Sequence, residues 1–208
     1  MVFADSIAKW RVGKTGLFKQ FLALGLLAGL TIVVYFPSLH YSFLNYDDDE
    51  YVTANANVRS GLNLASLKWA FENRDAGHWQ PITWISHQVD CTLYGLNAAR
   101  HHLDSLVFHV ANVCLLFLLL QWLTGASEKS LFVAAIFAVH PANVESVVWI
   151  AERKTLVCTL FHLSHVCRVC LVYAAPARGT LSSCARGVLL GGYVEVHGSH
   201  RAFVAAAA

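Results

Sequence analysis

The sequence predicts an all-α, multi-pass transmembrane helical bundle, and three observations predict it. Of the 208 residues 56% are hydrophobic, only 13% are charged, and mean hydropathy is +0.49. Several apolar runs approach the roughly 20 residues that an α-helix needs to cross a bilayer core. A soluble domain of this size is far less apolar. A formal net charge of only +2 gives no bulk basic field for nucleic acid. The six cysteines are scattered and imply no disulfide framework.

The elements follow in order. Residues 1–16 form a cytoplasmic N-terminus, because Lys9, Arg11, Lys14 and Lys19 precede the apolar Phe21 to Phe36 and basic flanks stay inside. No small-residue cleavage pattern follows that run, so it reads as an uncleaved helix, spanning about 17–36 and stopped by Pro37. Gly13-Lys14-Thr15 imitates the end of a phosphate-binding loop, but Ala8 stands where that motif needs Gly. The outer loop 37–102 carries two short amphipathic helices. One gathers Leu62, Leu64, Leu67, Trp69, Ala70 and Phe71; the other, Trp79 to Leu96, includes Trp84 and Tyr94. Such segments either lie in the headgroup plane or fold as a small cap over the helices.

A second span at 103–123 carries Asp104, His109 and Asn112, and a short turn at 124–130 returns to the cytoplasm. The third span, 131–150, is broken at His140-Pro141. The fourth, 155–175, is weakened by His162, His165 and Arg168. The membrane domain is thus 17–163. Residues 164–208 are an atypical tail in which Cys, Arg and Gly mix without a clean period, and Cys167-x-x-Cys170 there lacks the second pair that a zinc finger requires.

Two polar clusters stand out in this apolar chain. Ionisable groups at membrane depth are costly and mark functional sites. The run Asp47, Asp48, Asp49, Glu50 sits between aromatic flanks in the outer loop; a carboxylate there can take a proton from a hydroxyl or hold a divalent cation through oxygen ligands. The competing reading is a solvated acidic turn. The stretch His140 to Lys154 holds Glu145 in a first helical turn, Glu152 seven residues on, and the adjacent cations Arg153 and Lys154. Such a pair suits a phosphate, or else simply marks a helix end. His101, His102 and His140 are candidate substrate-site residues; no histidine pair has helical metal-ligand spacing, and no metal site is assigned.

Phe43 to Val52 (FLNYDDDEYV), His78 to Leu96, His101 to His109 and above all Phe137 to Phe161 (FAVHPANVESVVWIAERKTLVCTLF) resemble the membrane portion of the transmembrane-and-tetratricopeptide-repeat O-mannosyltransferases and their bacterial relatives. The resemblance runs from about Phe18 to Phe161. Asp49, Arg100, Ser105 and Thr155 depart from that family's usual residues. It implies the N-terminal part of a GT-C glycosyltransferase, in the bacterial inner membrane or the endoplasmic reticulum with its active face extracytoplasmic. Such an enzyme uses a polyprenyl-phosphate sugar donor and a hydroxyl acceptor such as protein Ser or Thr. On that resemblance Asp47, Asp48 and Glu145 are catalytic, and Glu152, Arg153 and Lys154 bind the donor phosphate. A non-catalytic membrane anchor or assembly module is the main alternative. A transporter fragment built on the Pro-broken helix is another.

Overall fold

The computed structural model describes residues 14–73 and 79–174, and every regular element among them is helical. The expected cytoplasmic N-terminus before Lys14 and the tail beyond Ala174 lie outside the described residues. Two helices, α1 (Lys14–Tyr35) and α5 (Ala98–Thr124), lie in stretches long and apolar enough to cross a membrane. The pair α6 (Ser127–Val139) and α7 (Ala142–Val148) reaches that standard only when taken together, bent by 61° at the break. This is a membrane protein. The last described helix, α8 (Arg153–Ala174), covers the expected fourth span, but Arg153, Lys154, His162, His165 and Arg168 keep it outside the set of sufficiently apolar helices.

The bundle packs α1, α5 and α6 through Leu27, Val113, Phe117, Ala134 and Ala138. The small Ala134 and Ala138, both fully enclosed, let α6 approach its neighbours closely. The opposite face of α1 leaves Phe18, Phe21, Leu22, Leu26 and Val33 exposed, which suits lipid contact. Gly125, at φ 67°, ends α5 in the left-handed conformation that turns the chain back into α6.

The break at 140–141 follows from backbone chemistry. His140, preceding a proline, is extended, and Pro141 cannot continue the helix it follows. In an apolar medium the carbonyls freed at the end of α6 need partners. His109 Nε2 on α5 lies 3.0 Å from the Ala138 carbonyl, and Asn143 Nδ2 donates to Phe137 at 2.7 Å. Asn112 Nδ2 likewise donates to the Leu156 carbonyl at 2.9 Å and ties α5 to α8. His109 and Asn112 of the second span therefore fasten α5 to its neighbouring helices.

Between α1 and α5 the long loop folds as a cap. Its helices are α2 (Ala56–Arg59), α3 (Leu64–Glu72) and α4 (Pro81–Tyr94). Asn55 caps α2, Asn63 and Ser66 form a reciprocal capping box on α3, and Pro81 starts α4 where its missing N–H costs nothing. The cap core joins Tyr51, Val52, Val58, Ala70, Trp84 and Cys91 to Ile150 and Ala151, which enter from the segment after α7. Trp84 stacks on Tyr51 at 4.8 Å and meets Trp69 edge-on at 5.2 Å. The loop folds as a cap, with Trp84 enclosed by cap side chains. Gly61, at φ 72°, leaves no room for a Cβ, which would meet Thr92 Oγ1 at 2.7 Å.

Candidate functional site

Two segments far apart in sequence are laced together at one end of the bundle. The Tyr46 and Trp149 rings lie 5.8 Å apart, Ala151 N donates to Asp48 Oδ1 at 2.9 Å, and Lys154 Nζ sits 5.5 Å from the Tyr51 ring. Each of these pairs has the same sequence offset of 103 residues, so the segments 46–51 and 149–154 run alongside each other in register. The acidic run and the Glu152-Arg153-Lys154 string, distant in the chain, thus occupy one region.

Their side chains divide into anchors and exposed groups. Asp48 is fully buried, and its two oxygens accept from Leu44 N at 2.8 Å and Ala151 N at 2.9 Å. Burial pushes its carboxyl above the ordinary range; the two backbone N–H groups pull it down, and Asp47 and Asp49 push it up again. Asp47 is half-buried, Asp49 and Glu50 are exposed, and Asp49 Oδ1 accepts from Glu50 N. Lys154 is half-buried, with its ammonium 2.6 Å from Glu152 Oε1. Burial opposes its charge, but Glu152 and Tyr51 outweigh burial and raise its pKa. Tyr51 OH in turn accepts from Gln80 Nε2 at 2.9 Å, and Glu152 Oε2 accepts from Thr155 Oγ1 at 3.2 Å.

Arg153 differs from the expectation that it faces a ligand: its side chain is enclosed entirely. The guanidinium donates to Asp90 Oδ2, to Ser105 Oγ at 3.2 Å and to the His101 carbonyl at 2.7 Å. A guanidinium at this depth needs its donors satisfied, and Asp90 on α4 supplies the countercharge. Burial alone would raise Asp90, but His101 and Arg153 prevail and hold it at about 2. His87, completely buried one turn earlier on α4, is held well below its ordinary range by burial and then by the Arg153 charge.

The remaining candidates are dispersed. His101 and His102 are buried at the start of α5, with His101 Nδ1 3.2 Å from Asp90. His140 is exposed at the α6–α7 break, where its Nδ1 accepts from Ala142 N at 3.2 Å. Glu145 is exposed in the first turn of α7 and is not among the groups that hold Arg153 or Lys154. Asp90 and His87 escaped the sequence reading, although their spacing of three on a Pro-started helix puts both on one face.

Fold and site together describe a helical membrane protein in which an acidic run and a Glu-Arg-Lys string meet where a folded cap packs on the helices. No protein-family model matches the chain, and no solved structure matches it. Curated proteins do. The chain is 29% identical over 147 residues to protein O-mannosyl-transferase Tmtc1 of Drosophila melanogaster, which covers 67% of this chain and 17% of that protein. It is 27% identical over 152 residues to protein O-mannosyl-transferase TMTC3 of Mus musculus, covering 70% and 16%. With TMTC4 of Homo sapiens it is 26% identical over 166 residues, covering 66% and 22%. The chain therefore spans less than a quarter of the length of these relatives. The resemblance to the transmembrane-and-tetratricopeptide-repeat O-mannosyltransferases is borne out by them.

Proposed function

We propose that this chain forms the N-terminal membrane region of a GT-C glycosyltransferase that moves a sugar from a polyprenyl-phosphate donor to a hydroxyl of protein Ser or Thr, at the extracytoplasmic face. The relatives' names carry mannose to this reading. The observation that supports it is the in-register lacing of 46–51 against 149–154, which brings the segment that carries the acids beside the segment that carries Lys154.

The chemistry divides along the same line as burial. Asp47, the half-buried acid beside the anchored Asp48, takes the proton from the acceptor hydroxyl as that oxygen attacks the anomeric carbon. The bond from that carbon to the phosphate oxygen breaks, negative charge grows on the leaving polyprenyl phosphate, and Lys154 stabilises it with Glu152 fixing its position. One displacement of this kind inverts the anomeric configuration. Arg153 positions Lys154 by fastening its neighbour to Asp90 and does not itself touch the phosphate. The transporter reading loses support at the broken helix, because His109 and Asn143 already serve the Ala138 and Phe137 carbonyls that an ion would use.

The test is transfer of radiolabelled sugar from a synthetic polyprenyl-phosphate donor to Ser/Thr peptides by the intact protein in detergent. Stereochemical inversion in the product supports the reading. Full transfer by a folded Asp47→Asn variant removes Asp47 as the base.

A further inference from the structure

Where α4 meets α5 lies a second cluster, from which the transfer reading takes only the hold of Asp90 and the His101 carbonyl on Arg153. His87 and Asp90 stand one turn apart on α4, and His101 faces them from α5; one ligand atom from each lies within 4.8 Å of the others, and all three residues are buried. The His101 Nε2 lies 3.0 Å from the Gly95 carbonyl, which can only accept, so that nitrogen carries the proton. In a neutral ring Nδ1 then holds a lone pair. It lies 3.2 Å from Asp90 Oδ2, outside hydrogen-bond alignment. A positive centre must lie between the two, either the second proton of an imidazolium, which makes the contact an ion pair with Asp90, or a metal ion that takes the place of that proton. His87 points to the same need: it is fully enclosed, its ring stacks on that of His101 with centroids 6.4 Å apart, and neither of its nitrogens has a hydrogen-bond partner. An unpartnered buried polar ring is costly.

We propose that His87, Asp90 and His101 bind one divalent transition ion of the zinc class, which fastens cap helix α4 to membrane helix α5. Two imidazoles and a carboxylate are the borderline nitrogen and oxygen donors that such ions take. Metal–ligand bonds of about 2.0–2.2 Å in a tetrahedral arrangement place donor atoms roughly 3.4 Å apart, close to the 3.2 Å between His101 and Asp90. The other His101 nitrogen rests on a backbone carbonyl, the usual orienting contact of a metal-bound histidine. Arg153 bonds the same carboxylate oxygen, but an ionised carboxylate has about four acceptor positions, so the guanidinium acts as its outer partner.

The intact protein, purified in detergent and stripped with a chelator, is to be titrated with zinc and with cobalt as an optical reporter. One ion per chain with a tetrahedral cobalt spectrum is expected, weakened at least tenfold in each of His87→Gln and His101→Gln and unchanged in Cys167→Ser/Cys170→Ser. Failure of the wild-type protein to take up one ion overturns the proposal whether or not the variants fold. Binding that survives His87→Gln overturns it as well. Neither result bears on sugar transfer, which is measured separately.

Discussion

Asp48 Oδ1 accepts a hydrogen bond from Ala151 N at 2.9 Å, joining the loop after the first span to the segment that opens α8. Its other oxygen holds Leu44 N, so the carboxylate is a fully buried staple between two backbones. Removing the acceptor strands two N–H groups, at a cost of about 1–3 kcal/mol each. Asp48→Ala should therefore lower thermal stability in detergent markedly, and Asp48→Asn less, because its amide oxygen keeps one bond. Asp47→Asn, by contrast, should melt as wild type does and lose transfer. Circular dichroism melts run alongside peptide transfer assays separate the two acids; equal melting of all three variants would end the division into staple and base.

The Arg153–Asp90 pair should show the asymmetry of a buried ion pair. Taking away one partner leaves the other charge uncompensated, which costs about 3–5 kcal/mol, whereas replacing both by apolar residues of similar volume is often close to neutral. Arg153→Met and Asp90→Leu should each abolish accumulation of folded protein, and the double variant should recover part of it. Detergent gel filtration of the three variants reads this out. A double variant no better than either single one would show that Ser105 and the His101 carbonyl, not Asp90, fix the guanidinium.

The bundle was legible from the sequence because spans are written in composition: Leu17 to Phe36 and Leu103 to Leu123 announce themselves by length and apolarity alone. The break at Pro141 was legible for an equally local reason. Topology further indicated that the acidic run and the Glu-Arg-Lys string lie at one end. Which members of each cluster are buried was not legible, since Asp47 and Asp48 look alike in sequence and differ only in what the segment 103 residues away does to them. Arg153 and Lys154 are the same case. A pair of adjacent cations reads as one unit, yet successive residues at a helix start point different ways, so one enters the core and the other stays half-exposed beside Glu152. Asp90 was hidden inside a segment read as aromatic and interfacial, because its partner lies 63 residues further on.

Acid should loosen the cap before neutral or mildly basic conditions do. Asp90 titrates at about 2 in the folded protein, below the ~3.9 of an unperturbed aspartate. A depressed carboxyl adds stability that is complete above about pH 4 and disappears as pH falls toward 2, amounting to about 2–3 kcal/mol for a shift of this size. Asp48 works in the opposite sense, since its raised pKa means that protonation relieves a buried charge. The net outcome at pH 3 should be release of the cap with the bundle intact: Trp84 fluorescence shifting to the red while far-ultraviolet helicity persists. An acid transition of the wild-type protein that lies wholly above the ordinary aspartate range would move its cause elsewhere.

Lys154 offers the sharpest separation of chemistry from architecture. Its ammonium reaches Glu152 and the Tyr51 ring but fastens no helix, so Lys154→Gln should fold with normal stability. Loss of one group that stabilises developing charge typically lowers turnover on the order of 10²-fold. The effect should fall on kcat for the polyprenyl-phosphate donor and leave the acceptor peptide's KM nearly unchanged. Glu152→Gln should give a smaller loss of the same kind, since it frees the ammonium without removing it. Lys154→Arg keeps the charge and spreads it over a planar fork, so partial rescue identifies charge as the requirement. A folded Lys154→Gln protein with wild-type kcat would remove this residue from the leaving-group role and return the question to Arg153.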